Sequence, residues 1–503
     1  MIKGTLRLDD NKNEETTNTQ AYQNQFTQIV EHKLGITIHH KIKDVNSIIK
    51  DVCKKFNYTN NELLQALSAT TASSPLLEYI VSEVTIGETY FFRDKNQMRL
   101  ISEVLLPEII KRKRTENDMS LRIWSAGCSS GEEIYTIGIM LKNALPDIHN
   151  WKLHLLGTDI NTNVIRKAIS GRYSEWSMRS ISDIDKQDNF TRNDNEYIIS
   201  DSIRNLAEFT YLNLNEDTYP SIFNNTNSQD LILCRNVLIY FDIDNTKKVM
   251  QKLSASLAIN GYLILGASDP VNIENTDLVF HHEKGLLFSH KSSLAPVPKI
   301  IPSRPPTLKL PIQKPVALTK PIAINPLTIP TEDKIISLLN EAKWDEVLKI
   351  IDQQNTTDKT PAFIYNSKAT ALANLGNLSQ AIKCCEEGIK IYPTNHYIYF
   401  TYALTLAETG RLEEAEINFK KTLFLDYQFV PGHFQLGLLQ LRKNQKNAGL
   451  KCLYNALAIA STKKSSDKIP YTSGLTYGSL ADILTHEIEI YQTEERDGDA
   501  KIK

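Results

Sequence analysis

An apolar run that stops at a glycine and serine turn, followed at once by a helix-patterned segment, constrains this chain most. It occupies residues 120–145, SLRIWSAGCSSGEEIYTIGIMLKNAL. Gly127 and Gly131 leave the end of the strand and the free N–H groups of the helix open to a ligand. Glu132 and Glu133 open the helix and repel phosphate, and the P-loop lysine is absent. The turn therefore favours a neutral or cationic nucleotide-type cofactor, although any α/β domain can contain such a turn.

Asp159 stands near the end of the next apolar run, residues 151–160. In sheets that bind nucleotide-type cofactors, an acid at this place accepts hydrogen bonds from the ribose hydroxyls. The same residue is also placed to cap the helix-patterned segment that follows. The sequence leaves both roles open, and one does not exclude the other.

Polar residues also end the later apolar runs. Asn213 lies near the end of residues 206–214, and Cys234, Arg235 and Asn236 interrupt the run 230–241. Strand and helix signals alternate from residue 120 to residue 290, which predicts a mostly parallel sheet covered by helices. Because such sheets bind ligands at the carboxyl ends of their strands, we expect these residues to line a site.

Five segments occur in an order that resembles a known enzyme family. They are ETYFFRD (88–94), WSAGCSSGEE (124–133), GTDI (157–160), LNLN (212–215) and CRNVLIYF (234–241). The order resembles the CheR-type chemoreceptor glutamate methyltransferases, which use S-adenosyl-L-methionine, over about residues 30–290. The resemblance implies a small all-α N-terminal domain and a class I, Rossmann-like α/β methyltransferase domain with a small antiparallel β insertion.

The resemblance also assigns site residues. Arg93 and Tyr240 match catalytic positions, and Asp159 matches the acid that holds the ribose. The matching cofactor positions are Thr89, Arg93, Gly127, Glu133, Asp159, Asn213, Leu214, Asn236 and Val237. No metal is implied. Gly87 stands where some members carry an asparagine that helps to hold the cofactor, so one hydrogen bond of the family is in question here.

The implied reaction needs no general base, because a glutamate side chain with a pKa near ~4.3 is already an anion at neutral pH. Catalysis then consists mainly of holding a carboxylate oxygen about 3 to 3.5 Å from the methyl group and excluding water. Arg93 can orient that carboxylate through its planar guanidinium. Two alternatives stay open: a scaffold that binds the cofactor without turnover, and an enzyme that methylates another carboxylate.

The partner implied by the resemblance is the cytoplasmic domain of a chemoreceptor. A net charge of −2 over 503 residues gives no global attraction to nucleic acid or membrane. Residues 111–114 form a basic run, which is either a solvated helix end or a contact for an acidic receptor helix. Residues 188–199 contain an Asn/Asp-rich turn without the glycine that receptor-tethering members often have, so tethering is less certain than catalysis.

The six cysteines form no CxxC pair and no histidine spacing of a metal site accompanies them. This composition predicts reduced thiols in the cytoplasm, without disulfides or a metal centre. The sequence has no signal-peptide pattern and no 18-residue apolar run, so we expect no membrane insertion. Recruitment to membrane receptor arrays is a further expectation from the resemblance.

Composition divides the chain into further segments. We predict a disordered tail (1–20), a helical domain (21–95), the methyltransferase domain (96–293, insertion about 175–212), a linker (294–331), repeats (332–462) and a capping helix with a polar tail (463–503). Residues 296–330 contain ten prolines, five lysines or arginines and no acid. Such a composition favours an extended spacer.

A 34-residue period marks the C-terminal half of the chain. Gly376 and Gly410 keep this step, as do Ala381, Ala415 and Gly449. Small residues at fixed places in helical segments resemble tetratricopeptide (TPR) repeats, with a generic helical bundle as the alternative. Such repeats carry no chemistry and present a concave face, so we expect an unidentified protein or peptide partner there.

Overall fold

The computed structural model of the chain describes residues 7–38, 44–69, 74–85, 87–271, 274, 276–283, 286–292, 332–353 and 360–499. The predicted linker, residues 294–331, lies outside the described residues. Residues 1–6 and 500–503 of the two predicted polar tails lie outside them as well.

Four helices form the N-terminal domain: α1 (Arg7–Leu34), α2 (Val45–Phe56), α3 (Asn60–Ala69) and α4 (Pro75–Val84). They share one core, which includes Phe26, Val30 and Ile48. We expected residues 1–20 to be disordered, whereas α1 begins at Arg7. The polar segment extends a helix that Phe26 and Val30 already anchor, and extending a helix needs no new nucleus.

The region after the N-terminal domain alternates strands and helices, as its apolar pattern predicts. Its elements are α5 (Lys95–Leu100), α6 (Leu106–Thr115), β1 (Ser120–Ala126), α7 (Glu132–Ala144), β2 (Lys152–Asp159), α8 (Thr162–Ser170), β3 (Arg172–Ser174), α9 (Asp183–Asn189), β4 (Phe190–Asn193), β5 (Glu196–Ile199), α10 (Asp201–Arg204), β6 (Ala207–Tyr211), β7 (Gln229–Cys234), α11 (Ile243–Ser256), β8 (Leu257–Leu265), β9 (Leu278–Glu283) and β10 (Leu286–Lys291).

Seven strands form one sheet in the order β6-β2-β1-β7-β8-β10-β9. β1, β2, β6, β7 and β8 pair in parallel, and β10 is antiparallel to both of its neighbours. The predicted mostly parallel α/β sheet is confirmed. The chain order reverses between β1 and β7, and open sheets bind ligands in the crevice outside the strand ends at such a switch point.

The β insertion is a separate antiparallel sheet in the order β3-β5-β4. We predicted it at about residues 175–212, but its strands span 172–199, and residues 207–211 form β6 of the main sheet. Phe209 and Tyr211 of β6 belong to the core beside the seven-stranded sheet, which explains why this strand joins the larger sheet. Asp194 adopts a positive φ of 50° between β4 and β5, so the turn forms without glycine.

Helical pairs build the C-terminal region, in agreement with the 34-residue period. They are α12 (Glu332–Asn340) with α13 (Trp344–Asp352), α14 (Ala362–Asn374) with α15 (Leu378–Ile391), α16 (His396–Glu408) with α17 (Leu412–Leu425), and α18 (Val430–Arg442) with α19 (Lys446–Ala460). The periodic small residues allow close helix contact: a Cβ on Gly449 would lie 2.9 Å from the carbonyl oxygen of Gly437. We call residues 332–460 the repeat domain.

The last helix, α20 (Tyr477–Asp499), connects the repeat domain to the rest of the chain. Ile488 belongs to the core of the repeats, while Ile490 belongs to the core beside the seven-stranded sheet. The predicted capping helix therefore also packs on the α/β domain, against α8 and β6. Among the helices that the structure describes, none is long and apolar enough to cross a membrane.

Candidate functional site

A cavity of about 290 Å³ lies at the switch point, outside the ends of β1, β2, β6 and β7. Nine of the ten predicted site residues line it: Thr89, Arg93, Gly127, Glu133, Asp159, Leu214, Asn236, Val237 and Tyr240. Gly87, the departure from the family pattern, lies in the same wall, and its carbonyl oxygen accepts a hydrogen bond from Ser129 Oγ at 3.1 Å.

Asn213 is the predicted residue that the cavity does not include. Its Oδ1 accepts a hydrogen bond from the backbone N–H of Asn215 at 3.0 Å, and its Nδ2 donates to the carbonyl oxygen of Leu34 at 3.3 Å. Its side chain therefore stabilises the turn after β6 and joins it to α1. The neighbours Leu212 and Leu214 reach the cavity instead.

Left-handed backbone shapes the turn after β1, with φ of 80° at Gly127, 50° at Ser129 and 88° at Gly131. A Cβ on Gly127 would lie 2.4 Å from a methyl group of Val237 in the cavity wall. A Cβ on Gly131 would lie 2.8 Å from the Cβ of Ala168. We attributed both glycines to ligand approach, but Gly131 is required by packing against α8.

Asp159 points its carboxylate at the same turn. Its Oδ2 accepts from the N–H of Ser129 at 2.9 Å, and its Oδ1 accepts from the N–H of Asn161 at 2.9 Å. The cap of α8 is Asn161, whose Oδ1 accepts from the N–H of Asn163. Asp159 is therefore not the helix cap. Burial raises the pKa of its carboxyl, and the backbone N–H donors oppose this shift.

Arg235 organises the cavity floor, a role that sequence reasoning missed. Its guanidinium donates to Gln97 Oε1 at 2.7 Å, to Glu133 Oε2 at 2.9 Å and to the carbonyl oxygen of Arg93 at 2.7 Å. The side chain is 3% exposed. An arginine directly after a buried strand requires an acidic partner, so a pairing of Arg235 with one of the acids in the motifs could have been predicted.

Asp269, also missed, holds the loop that carries Asn236 and Val237. Its carboxylate accepts from the backbone N–H groups of Asn236 at 2.5 Å, Val237 at 3.0 Å and Gly266 at 2.8 Å. Burial raises the pKa of Asp269, while these donors act in the opposite direction. Asn236 adopts a positive φ of 59°, and the Asp269 contacts stabilise this conformation.

The ETYFFRD segment presents Arg93 from a strained loop. Phe92 and Asp94, on either side of Arg93, have φ of 57° and 65°. Asp94 Oδ1 caps α5 and accepts from Gln97 N, so it does not pair with Arg93. Arg93 Nη1 donates to the carbonyl oxygen of Glu88 at 2.7 Å. In the described chain we find no other hydrogen bond from this guanidinium, which leaves donors for an acceptor in the cavity.

Tyr240 lies in the same cavity as Arg93. Burial raises the pKa of its hydroxyl, and the nearby charge of Arg93 opposes this shift. The carbonyl oxygen of Tyr240 accepts a hydrogen bond from the N–H of Thr37, and its ring packs on the N-terminal core. The N-terminal domain thus helps to close the cavity.

Aromatic rings and a third arginine, Arg179, lie beside the cavity. The guanidinium of Arg179 lies 3.5 Å from the ring centre of Tyr90, which lines the cavity, and 4.1 Å from that of Trp176. Trp176 is 64% exposed. This surface belongs to the β insertion side, where a macromolecular acceptor can approach.

The lining of the cavity fits a nucleoside cofactor with a positive charge better than a phosphate-bearing one. Glu133 and Asp159 supply carboxylates, and the described lining contains no lysine. The cations there are Arg93 and Arg235, and Arg235 is already committed to protein partners. S-adenosylmethionine carries a sulfonium and a ribose, which match this set of donors and acceptors.

Three of the four residues in the basic run 111–114 form ion pairs within the protein. Arg112 and Lys113 lie 3.0 and 3.2 Å from Asp230, and Arg114 lies 2.7 Å from Asp147. The buried Asp230 requires these cations, since burial raises its carboxyl pKa and the Lys113 charge opposes this shift. Lys111 and Arg114 are exposed, so these two residues keep the solvated character that the sequence suggested.

Three possible metal ligands, Glu78, His486 and Glu489, place one ligand atom each within 4.8 Å of one another. They join α4 to α20, away from the cavity lining. His486 Nδ1 lies 3.0 Å from Glu78 Oε1, which accepts from Thr162 Oγ1 at 3.1 Å. The residues are too far apart in the chain for ligand spacing to reveal them.

Together, the strand order and the cavity at the switch point define a Rossmann-like cofactor-dependent methyltransferase domain that carries helical repeats. Residues 87–285 match the model of the CheR methyltransferase, SAM binding domain. Residues 364–395 and 384–417 match tetratricopeptide repeat models.

Relatives agree with these matches. Chemotaxis protein methyltransferase of Borreliella burgdorferi is 30% identical over 248 residues, which cover 48% of this chain and 86% of that protein. Chemotaxis protein methyltransferase 2 of Vibrio cholerae is 32% identical over 211 residues, covering 42% of this chain and 70% of that protein. The chain belongs to the CheR family of chemotaxis protein methyltransferases, and its cofactor is S-adenosylmethionine.

Among solved structures, a crystal structure of MamA is similar to 35% of this chain and 99% of that chain, at 13% identity and a TM-score of 0.25. The Sgt2 TPR domain of Aspergillus fumigatus covers 29% of this chain and 85% of its own, at 14% identity and a TM-score of 0.24. These scores are too low to support a conclusion.

Proposed function

We propose that this chain methylates glutamate side chains in the cytoplasmic domain of chemoreceptors, forming glutamyl methyl esters. The observation that carries the proposal is the convergence of Arg93 and Tyr240 with the cofactor-type residues in one cavity. Membership of the chemotaxis methyltransferase family supports the acceptor class. Each transfer removes one negative charge from the receptor.

The residues of the chain act by positioning. S-adenosylmethionine supplies a methyl group on a positively charged sulfur. Asp159 would accept hydrogen bonds from the ribose hydroxyls, and Leu212 and Leu214 would form an apolar wall beside the base. Arg235 holds Glu133 and the Arg93 backbone in place. Because the incoming carboxylate is already an anion, no side chain has to remove a proton.

Arg93 orients the acceptor carboxylate in this proposal. Its contact to Glu88 fixes one side of the guanidinium and leaves the other donors for the carboxylate. Tyr240 contributes a hydroxyl that stays protonated, since burial raises its pKa. An acceptor carboxylate that pairs with one arginine stays a better nucleophile than a carboxylate that is held by cations on both sides.

The test is transfer of labelled methyl from S-adenosylmethionine to membranes that contain chemoreceptors. We expect base-labile label on receptor bands, and Arg93→Ala should lower the rate on the order of a hundredfold. Arg99→Ala is the matched control, because Arg99 is an exposed arginine of the next helix, with a solvated ion pair to Glu103. Cofactor binding without any labelled protein would contradict the acceptor assignment and favour the scaffold or another carboxylate.

The repeat domain recruits or regulates the enzyme through a protein partner in this proposal. TPR repeats act as interaction modules, and family membership supports an activity on chemoreceptors. We therefore propose a cytoplasmic location with recruitment to receptor arrays. Comparing the label on receptors between the full chain and residues 1–293 reports what the repeats contribute.

A further inference from the structure

The first helices of three repeat pairs, α14, α16 and α18, form a face that contacts the methyltransferase domain. The segment they contact is residues 221–228, between β6 and β7, which we call the docking segment. Ile222 and Phe223 are buried in the hydrophobic cluster of the repeats. The sequence predicted a protein or peptide partner for the repeats, and the structure shows in addition that a segment of the chain itself packs against these three helices.

The repeats recognise this segment as they would a peptide. Asn374 Oδ1 accepts from the N–H of Ile222 at 2.9 Å, and Gln435 Nε2 donates to the carbonyl oxygen of Phe223 at 2.7 Å. The Phe223 ring lies 5.4 Å from that of Phe434, centre to centre. Side chains of the repeats thus satisfy backbone groups of the docking segment, while its two apolar side chains fill the repeat core.

The docking segment is a preformed helical turn. Ser221 Oγ accepts from the N–H of Phe223, and residues Ile222–Asn224 form one 3-10 turn. Arg122 of β1 holds the end of the segment through the carbonyl oxygens of Asn225 and Asn227, and it pairs with Glu408 of α16. The Arg122 and Glu408 side chains are 12% and 5% exposed, so this ion pair is shielded from solvent.

The same connection between β6 and β7 also forms part of the cofactor cavity. Leu212 and Leu214 line the cavity, and Tyr219 Oη donates to the carbonyl oxygen of Leu214 at 2.8 Å. Only Pro220 separates Tyr219 from the docking segment. The repeat face and the cofactor cavity therefore hold the two halves of one loop.

We infer that the repeat face is a docking site for a helical turn with an aliphatic and an aromatic side chain, and that a partner presenting such a turn displaces the docking segment and weakens S-adenosylmethionine binding. By reciprocity, cofactor binding opposes that partner. This inference assumes that the enzyme binds S-adenosylmethionine, and it does not depend on which protein accepts the methyl group. A tethered segment competes at an effective concentration on the order of millimolar, so the partner must bind well or present several copies.

The test uses a fluorescent synthetic peptide of residues 217–229 and the full chain. In Phe223→Ala the internal competitor is weakened, so the peptide should bind this variant about tenfold or more tightly than it binds the wild type. Adding Asn374→Ala and Gln435→Ala to that variant should abolish the gain. A peptide with serine in place of Ile222 and Phe223 is the control ligand, and Gln380→Ala, on an exposed face of α15, is the control variant.

Equal binding of the peptide to both chains, or none to either, would overturn the docking site. If Phe223→Ala does not fold, hydrogen exchange of residues 221–228 in the wild type gives the same answer. Saturating peptide should increase exchange of this segment, and unchanged exchange would contradict the inference.

Cofactor affinity is the second readout and needs no methyl acceptor. Calorimetry with S-adenosylhomocysteine should show a loss of affinity of about five- to tenfold in Asn374→Ala/Gln435→Ala and in wild type saturated with peptide. Gln380→Ala should match the wild type. Unchanged affinity with bound peptide would overturn the coupling, whereas a failure to label receptors with this binding intact would count only against the proposed acceptor.

Discussion

The methyltransferase site and the repeat domain are stabilised in different ways. The site joins residues from distant parts of the chain through buried polar contacts, and Arg235 alone links α5, α7 and the Arg93 loop. The repeat domain packs each helix mainly on its neighbours, with small residues such as Ala381 and Ala415 fully buried. One lost side chain should therefore affect the whole site, whereas damage to a repeat away from the docking segment should stay local.

Removing Arg235 should give the largest effect. Arg235→Met leaves the partly buried Glu133 without its cation and removes three hydrogen bonds of Arg235, and we expect a loss of about 3 kcal/mol in the free energy of unfolding of the enzyme domain. Urea unfolding, followed by tryptophan fluorescence, measures this loss. Arg99→Met is the control, since its pair with Glu103 is exposed.

A second variant distinguishes charge from packing at this place. Arg235→Met/Glu133→Gln removes both charges and should recover part of the stability lost in Arg235→Met. If the double variant is as unstable as the single one, the polar network is less important than the volume of the arginine side chain, and the comparison between the two regions fails.

Gly449→Ala tests the repeat domain in the same way. The new Cβ would lie 2.6 Å from Leu441 Cγ and 2.9 Å from the carbonyl oxygen of Gly437, so this strain outweighs the helix propensity gained. We expect about 1–3 kcal/mol of destabilisation. Hydrogen exchange should increase in α18 and α19 and remain unchanged in α12 and α13. Faster exchange throughout the repeats would show that they unfold as one unit.

The two regions also differ in what their sequences could predict. Apolar runs that end in polar residues, and a 34-residue recurrence of small residues, are local signals, and they predicted the sheet and the helix pairs. Nine of ten motif residues meet in the cavity because strand ends of a parallel sheet converge. Asn213 does not line the cavity, since its side-chain amide forms a hydrogen bond with the turn that follows it. No periodicity in the sequence indicates this contact.

Contacts between the regions could not be predicted from the sequence. Arg122 and Glu408 are 286 residues apart, and nothing near either residue indicates the pairing. The predicted boundary of the β insertion was wrong for a related reason. A short strand such as β6 fits either sheet by pattern, and the packing of Phe209 and Tyr211 in the core decides which one it joins.

The pH dependence of α20 docking is a smaller effect at the junction of the two regions. Burial raises the pKa of Glu487 to about 7, against hydrogen bonds from Thr210 and Tyr211 and the charges of His486 and Arg442. Burial and the nearby Glu78 raise that of Glu489 to about 8, against the charge of Arg166. The folded state therefore binds more protons than the unfolded state, and stability falls as pH rises from about 4.5 to 8.

Thermal unfolding at pH 5, 6.5 and 8 measures this contribution. Glu487→Gln/Glu489→Gln should show a smaller decrease in midpoint across this range than the wild type. Other buried acids, such as Asp217 with a pKa raised to about 6 by burial, contribute to both chains equally. Parallel curves for the two chains would mean that α20 carries no pH-sensitive contact.

Substitution of Lys111 should have the smallest effect, and it tests whether the basic run takes part in recognising the methyl acceptor. Its neighbours Arg112 and Lys113 pair with the buried Asp230 and so are not free to bind a receptor helix, while Arg114 forms an exposed ion pair with Asp147. Lys111 is exposed, and removing an exposed charge changes stability by roughly 0.5 kcal/mol or less. We expect Lys111→Ala to leave the receptor KM within about twofold of the wild-type value, a change of roughly 0.4 kcal/mol. A larger rise in KM at low salt, lost at high salt, would instead show that the basic run contacts an acidic receptor surface.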